Sequence, residues 1–107
     1  MRQITEKSVK NFLNEDNFNK NNTQVLKNED TTGFYLHGNL IALNRKGKII
    51  ITNAGWFSNT TKERLNGILQ NLGFDKIYQK NFEWFLAGQK WNGKPARLLK
   101  HNRWEYV

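Results

Sequence analysis

Three short runs of β-branched, aromatic and aliphatic residues follow one another between residues 32 and 52: Phe34-Tyr35-Leu36, Leu40-Ile41-Ala42 and Lys48-Ile49-Ile50-Ile51-Thr52. Each is parted from the next by a polar turn that contains a glycine, Gly38-Asn39 first and Asn44-Arg45-Lys46-Gly47 second. Runs this short cannot carry the apolar face of a helix, and Gly supplies the positive φ that a tight hairpin loop requires, so the segment is confined to antiparallel strands. Gly at the first central position places Gly38-Asn39 in a two-residue type II′ turn. Thr23–Lys27, joined through the polar turn at residues 28–30, adds a strand in front, and the pattern predicts a four-stranded antiparallel meander.

Helical spacing stands out once, at residues 61–72, where Leu65, Ile68, Leu69 and Leu72 fall at i, i+3, i+4 and i+7. Thr60-Thr61-Lys62-Glu63 reads as a capping box and Gly73 as the stop. A shorter helix over residues 5–15 gathers Ile4, Val9, Phe12 and Leu13, with Thr5 or Ser8 as its cap. Residues 14–22, rich in Asn, read as a linker. Residues 75–79 and 83–87 form a hairpin about Lys80-Asn81 that offers Ile77, Phe82, Trp84 and Leu86 or Phe85 to the core. Trp91-Asn92-Gly93-Lys94-Pro95 is turn chemistry, and residues 94–107 form a basic tail, either a last edge strand at 103–107 or a free arm. The chain has 107 residues, the length of one domain. The expectation is a single α+β domain over residues 1–107: an antiparallel sheet of five to seven strands, arranged as a meander, with the 61–72 helix on one face and a short N-terminal helix.

Composition narrows the chemistry. The chain holds no Cys, which removes disulfides, thiolate zinc sites, iron–sulfur clusters and thiol catalysis together. His37 and His101 have no second ligand at metal spacing, so no metal and no cofactor is expected. The adjacent carboxylates Glu15-Asp16 and Glu29-Asp30 sit in polar loops rather than on rigid elements, and Ser8 and Ser58 have no base beside them, so the chain reads as a non-enzyme. No apolar run approaches the ~20 residues of a membrane span, and residues 1–10 lack the apolar stretch of a secretion signal; the expectation is an intracellular protein without a membrane partner.

What remains is charge. Seventeen Lys and Arg against nine Asp and Glu give +8, and residues 1–31 balance at five of each, so residues 32–107 carry all of it. Such a balance points to a polyanionic partner. Arg45, Lys46, Lys48, Lys62, Arg64, Lys90, Lys94, Arg97, Lys100 and Arg103, interleaved with Trp91, Trp104 and Tyr106, offer phosphate pairing beside flat faces on which exposed bases stack. A basic surface in which Trp91 and Trp104 merely pack the core explains the same residues, and both readings stand. Gly55, Ser58, Asn59, Thr60, Thr61 and Lys62 run from a strand into a helix start and form a candidate anion cradle. Thr60 and Thr61 stand where a nucleotide-hydrolysing P-loop needs Gly and Lys, which excludes that use. Helix capping alone, with Trp56 buried under the sheet, also accounts for the segment.

Three motifs taken together carry a resemblance: Leu36-His37-Gly38-Asn39-Leu40-Ile41-Ala42, the loop and helix start from Gly55-Trp56 through Thr60-Thr61-Lys62 to Arg64-Leu65-Asn66, and Phe82-Glu83-Trp84-Phe85-Leu86. The chain resembles a family of small accessory proteins encoded by tailed bacteriophages over about residues 1–93, and departs from it in the tail. The resemblance implies a phage accessory protein at work in the cytoplasm of the bacterial host, and no catalytic residues. Two functions follow as expectations. One is non-catalytic binding of nucleic acid or of a host nucleoprotein complex, with inhibition of a host defence protein, as by an anti-CRISPR, its sharpest form. The other is a protein-interaction or homodimerisation module with no nucleic-acid role.

Overall fold

A computed structural model of the chain describes residues 2–107. It is an α+β fold. The elements run α1 (Gln3–Leu13), β1 (Phe18–Lys20), β2 (Thr23–Lys27), β3 (Thr32–Leu36), β4 (Asn39–Arg45), β5 (Lys48–Ile51), α2 (Asn59–Asn71), β6 (Tyr78–Lys80), β7 (Glu83–Leu86), β8 (Gln89–Trp91), β9 (Ala96–Leu98) and β10 (Trp104–Tyr106). One sheet has seven strands in the order β1-β2-β3-β4-β5-β9-β10, and a second has three in the order β6-β7-β8. Every pairing is antiparallel.

One row of residues shows how the large sheet is held. Val25, Phe34, Ala42, Ile51 and Ala96 lie in register across β2, β3, β4, β5 and β9, and all are buried. Paired residues point to one face, and both helices pack there. Helix α1 contributes Val9 and Phe12, the latter edge-on to Phe34 at 5.6 Å, and α2 contributes Leu65, Ile68 and Leu69. Each such side chain contributes about 1.5–3 kcal/mol by burial. A bulge between Phe34 and Tyr35 turns both Ile41 and Ala42 inward. The small sheet joins the same core through Trp84, Leu86 and Trp91, and the Trp104 indole donates to the Leu86 carbonyl at 2.9 Å to tie it to β10.

Several local expectations are corrected. The cap of α1 is Arg2, without a side-chain bond; Thr5 lies in the first turn of the helix and Ser8 in the second, and both are buried. The stretch read as a linker contains β1. The first tight turn is His37-Gly38, not Gly38-Asn39, and both residues have positive φ, which is the type I′ pattern rather than II′. Arg45 belongs to β4, leaving Lys46-Gly47 as the next loop. The cap of α2 is Ser58, whose hydroxyl accepts from the Thr61 amide at 3.2 Å, so Thr60 and Glu63 form no capping box. Gly73 does end the helix: its amide donates to Gln70 and that of Phe74 to Leu69, a Schellman closure that leaves Leu72 partly exposed, at 39%. Phe82, expected in the core, stands outside it. Trp91, placed in the turn that runs to Pro95, instead closes the strand β8 (Gln89–Trp91). Residues 94–107 supply two strands, and β9 lies inside the large sheet between β5 and β10.

Candidate functional site

The helices occupy one face of the large sheet and leave the other open. Leu26, Gly33, Leu43, Ile50 and Arg97 form a row across it, β2 to β9, in register. A second row, Gln24, Tyr35 and Leu40, runs beside it. The Tyr35 ring covers Gly33 so closely that a Cβ there would meet it at 2.8 Å. Tyr35 therefore lies on the open face as a fixed aromatic surface next to Leu40.

Cations gather at one end of the large sheet. Arg45 and Lys48 are direct partners across the β4–β5 hairpin, and Lys46 forms its tip. Because Ile50 pairs with Arg97 in an antiparallel ladder, the β9–β10 loop comes to the same end of the sheet. Lys48 and Gly47 line a concavity of about 580 Å³ together with Lys100, His101 and Asn102, and with Leu72, Gly73 and Phe74 after α2, so it lies at the end of the sheet on the side the helices cover. Arg103 joins them, its Nε donating to the Lys100 carbonyl at 3.2 Å. Lys46 has a loose pair with Asp30 at 3.6 Å, and Arg97 pairs with Glu105 at 2.9 Å. Among the described residues, Arg45, Lys48, Lys100 and Arg103 have no carboxylate partner.

The other candidate residues are placed elsewhere. Arg64 is a correction: at 1% exposure it is inside, where Nη1 donates to Thr5 Oγ1 at 2.7 Å and Nε to Thr23 Oγ1 at 3.3 Å, and where it pairs with Glu63. Burial holds its pKa below the ordinary arginine value, with the charge of Arg2 acting the same way and Glu63 opposing. Trp91 is likewise unavailable for stacking, buried against Trp84 with its indole N–H on the Lys94 carbonyl at 2.9 Å. Trp104 is half-buried and its N–H is engaged by Leu86. Lys62 lies over the Trp84 ring at 5.7 Å, Lys90 pairs with Glu83 at 2.7 Å, and Lys94 is exposed in the turn after β8.

The parts of the anion cradle have other partners. Ser58 bonds the Thr61 amide and faces the Thr61 hydroxyl at 2.9 Å, Asn59 and Thr60 open the first turn of α2, and Gly55 closes a turn on the Asn53 side chain. Trp56 is not buried under the sheet but 58% exposed, and Phe57 stands out beside it. The sequence reading missed these two, and it missed Tyr35 and Phe82 as surface aromatics. Among the described residues no three His, Asp or Glu gather to hold a metal ion, and no helix is long and apolar enough to cross a membrane.

Fold and surface define a small α+β protein that presents an open sheet face, with unpaired cations at one end of the sheet. The sequence profile of the Kyanoviridae Gp96 protein matches residues 1–105, and the chain belongs to that family of phage proteins. The match runs through β9 and into β10, so the tail, which the motif resemblance left out, is part of the family pattern. No curated protein and no solved structure matches the chain.

Proposed function

We propose that this phage protein binds nucleic acid, free or within a host nucleoprotein complex, through the basic end of its large sheet. It acts by occupying its partner rather than by catalysis, in the cytoplasm of the infected bacterium, where blocking a defence complex would serve the phage. The supporting observation is that Arg45 and Lys48 share one end of the sheet with Lys100 and Arg103, from segments far apart in sequence, and that among the described residues none of the four is ion-paired, while Asp30 pairs with Lys46 and Asp75 is held by Asn102 beside them. Folding gathers like charges against their mutual repulsion, and a polyanion relieves it.

The test is a binding titration with labelled single- and double-stranded oligonucleotides over a range of salt. Four phosphate contacts give a slope of about −3 in log affinity against log salt. Reversing Arg45, Lys48 and Lys100 together removes most of that slope, with circular dichroism unchanged because all three are exposed. A salt-independent affinity in the wild type overturns the reading. The apolar centre of the open face, Leu26, Leu40, Leu43 and Ile50, favours the second reading, a homodimer or a grip on one protein, which a salt-insensitive complex would support.

A further inference from the structure

We infer that a groove beside the small sheet takes unpaired nucleobases, which would make single strands the preferred ligand; this rests on the nucleic-acid reading and narrows it. Phe82 carries the inference. Four two-residue hairpin loops have positive φ at both positions, His37-Gly38, Lys46-Gly47, Asn81-Phe82 and Ala87-Gly88, apart from His101-Asn102 in the longer β9–β10 loop. In three of them the second residue is glycine, the residue that tolerates this conformation. In the fourth it is Phe82, at φ +66 and with 94% of its surface exposed. A bulky side chain is strained in that region, and one that buries nothing returns no stability to the fold. Local strain combined with an exposed ring is what a binding residue shows and a packing residue does not.

The surroundings specify the ligand. Phe82 opens onto a groove of about 450 Å³ whose exposed walls are Phe57 and Tyr106, with the buried Trp84 and Trp91 beneath its floor. Phe57, itself 57% exposed, stands edge-on to Trp84 at 5.2 Å, and the Tyr106 hydroxyl accepts from the Asn92 amide at 3.2 Å to fix the far wall. The lining carboxylate, Glu83, is neutralised by Lys90 at 2.7 Å, and Lys62 extends over Trp84. Lys80 and Lys94 flank the groove in the chain, and both are exposed. Flat apolar walls with cations at the margins suit a flat ring on an anionic backbone. A base within a duplex is already stacked and cannot enter, whereas an unpaired one can.

The experiment compares a short oligothymidylate with an abasic chain carrying the same phosphates, by fluorescence anisotropy, for wild type, Phe82→Gly and the Arg45/Lys48/Lys100 reversal. Phe82→Gly installs the residue the turn prefers, so the variant folds. Wild type is expected to favour the oligothymidylate by about tenfold, the order of one aromatic–base stack. Phe82→Gly should lose that preference and keep the abasic affinity, and the charge reversal should weaken both ligands while keeping their ratio. Equal binding of the two ligands by wild type overturns the stacking site and leaves the phosphate reading standing; binding of neither overturns both. A wild type that self-associates where Phe82→Gly stays monomeric, with base preference unchanged, identifies the groove as a protein contact and also overturns the inference.

Discussion

Replacing Glu63 with Gln neutralises the carboxylate that faces Arg2 and Arg64 and leaves a buried guanidinium without its counter-charge. Glu63 Oε1 accepts from Arg2 Nε at 2.9 Å and from Thr5 Oγ1 at 3.0 Å, lies 2.8 Å from Arg2 Nη2, and pairs with Arg64 Nη1. The cluster joins α1, α2 and, through Thr23, β2. Removing one partner of a fully buried pair costs about 3–5 kcal/mol. The Glu63 side chain is 28% exposed, so a loss of about 2–3 kcal/mol is expected for Glu63→Gln.

The same cluster gives the loss a pH signature. The hydrogen bond from Arg2 is the main cause that holds the Glu63 carboxyl below its ordinary pKa, against the opposing effect of burial. A carboxylate lowered on folding contributes its stability above the unfolded value, about 4.3 for Glu, and loses it as pH falls through the folded one. The gap between wild type and Glu63→Gln is therefore full at neutral pH and closes in acid. Urea denaturation followed by tryptophan fluorescence measures it at each pH. Arg64→Met is the control: it removes the buried charge itself, and Glu63 keeps Arg2 and Thr5 as partners, so its cost should fall below that of Glu63→Gln. A neutral-pH loss below about 0.5 kcal/mol for Glu63→Gln, or a gap that persists in acid, would refute the reasoning.

Leu65→Ala and Leu69→Ala should each lose about 2–5 kcal/mol by chemical denaturation, since both side chains are fully buried under the sheet. Gly93→Ala should lose more than Gly38→Ala, because at Gly93 (φ +87) a Cβ points into the buried Asn53 side chain, whereas at Gly38 (φ +78) it meets open space. The left-handed backbone alone costs roughly 1–2 kcal/mol in both, and thermal melts read the difference. Deleting residues 94–107 should abolish cooperative unfolding in calorimetry, because it strips β9 from β5 and removes the carbonyl that holds the Trp91 indole; a truncated chain with an intact transition would contradict the role given to β9.

Periodicity and turn glycines made α2 and the strands β2 to β5 legible. Gly38 fits either central position of a two-residue loop, so the residue alone did not fix which turn forms. Ser58 and Thr60 are both good caps, and nothing local ranks them; with Ser58 as the cap, Glu63 is free to accept from Arg2, a contact between distant segments. Strands β1 and β8 have three residues each, too few to show a period, and form because a longer neighbour or a tight turn holds them in register. Phe82 fits a strand's alternation as well as a loop's tip, and the alternation suggested the core. The cations were visible as composition, but their gathering was not. It depends on β9 entering the sheet beside β5, which brings Lys100 to Lys48 across about half the chain.

Nucleic-acid contact at that basic end is the central claim, and backbone-amide NMR mapping during titration with a short oligothymidylate tests it most directly. Shifts concentrated at residues 45–48 and 97–103 that shrink as salt rises are the expected result. An unperturbed spectrum, or shifts that spare both segments at low salt, would contradict it.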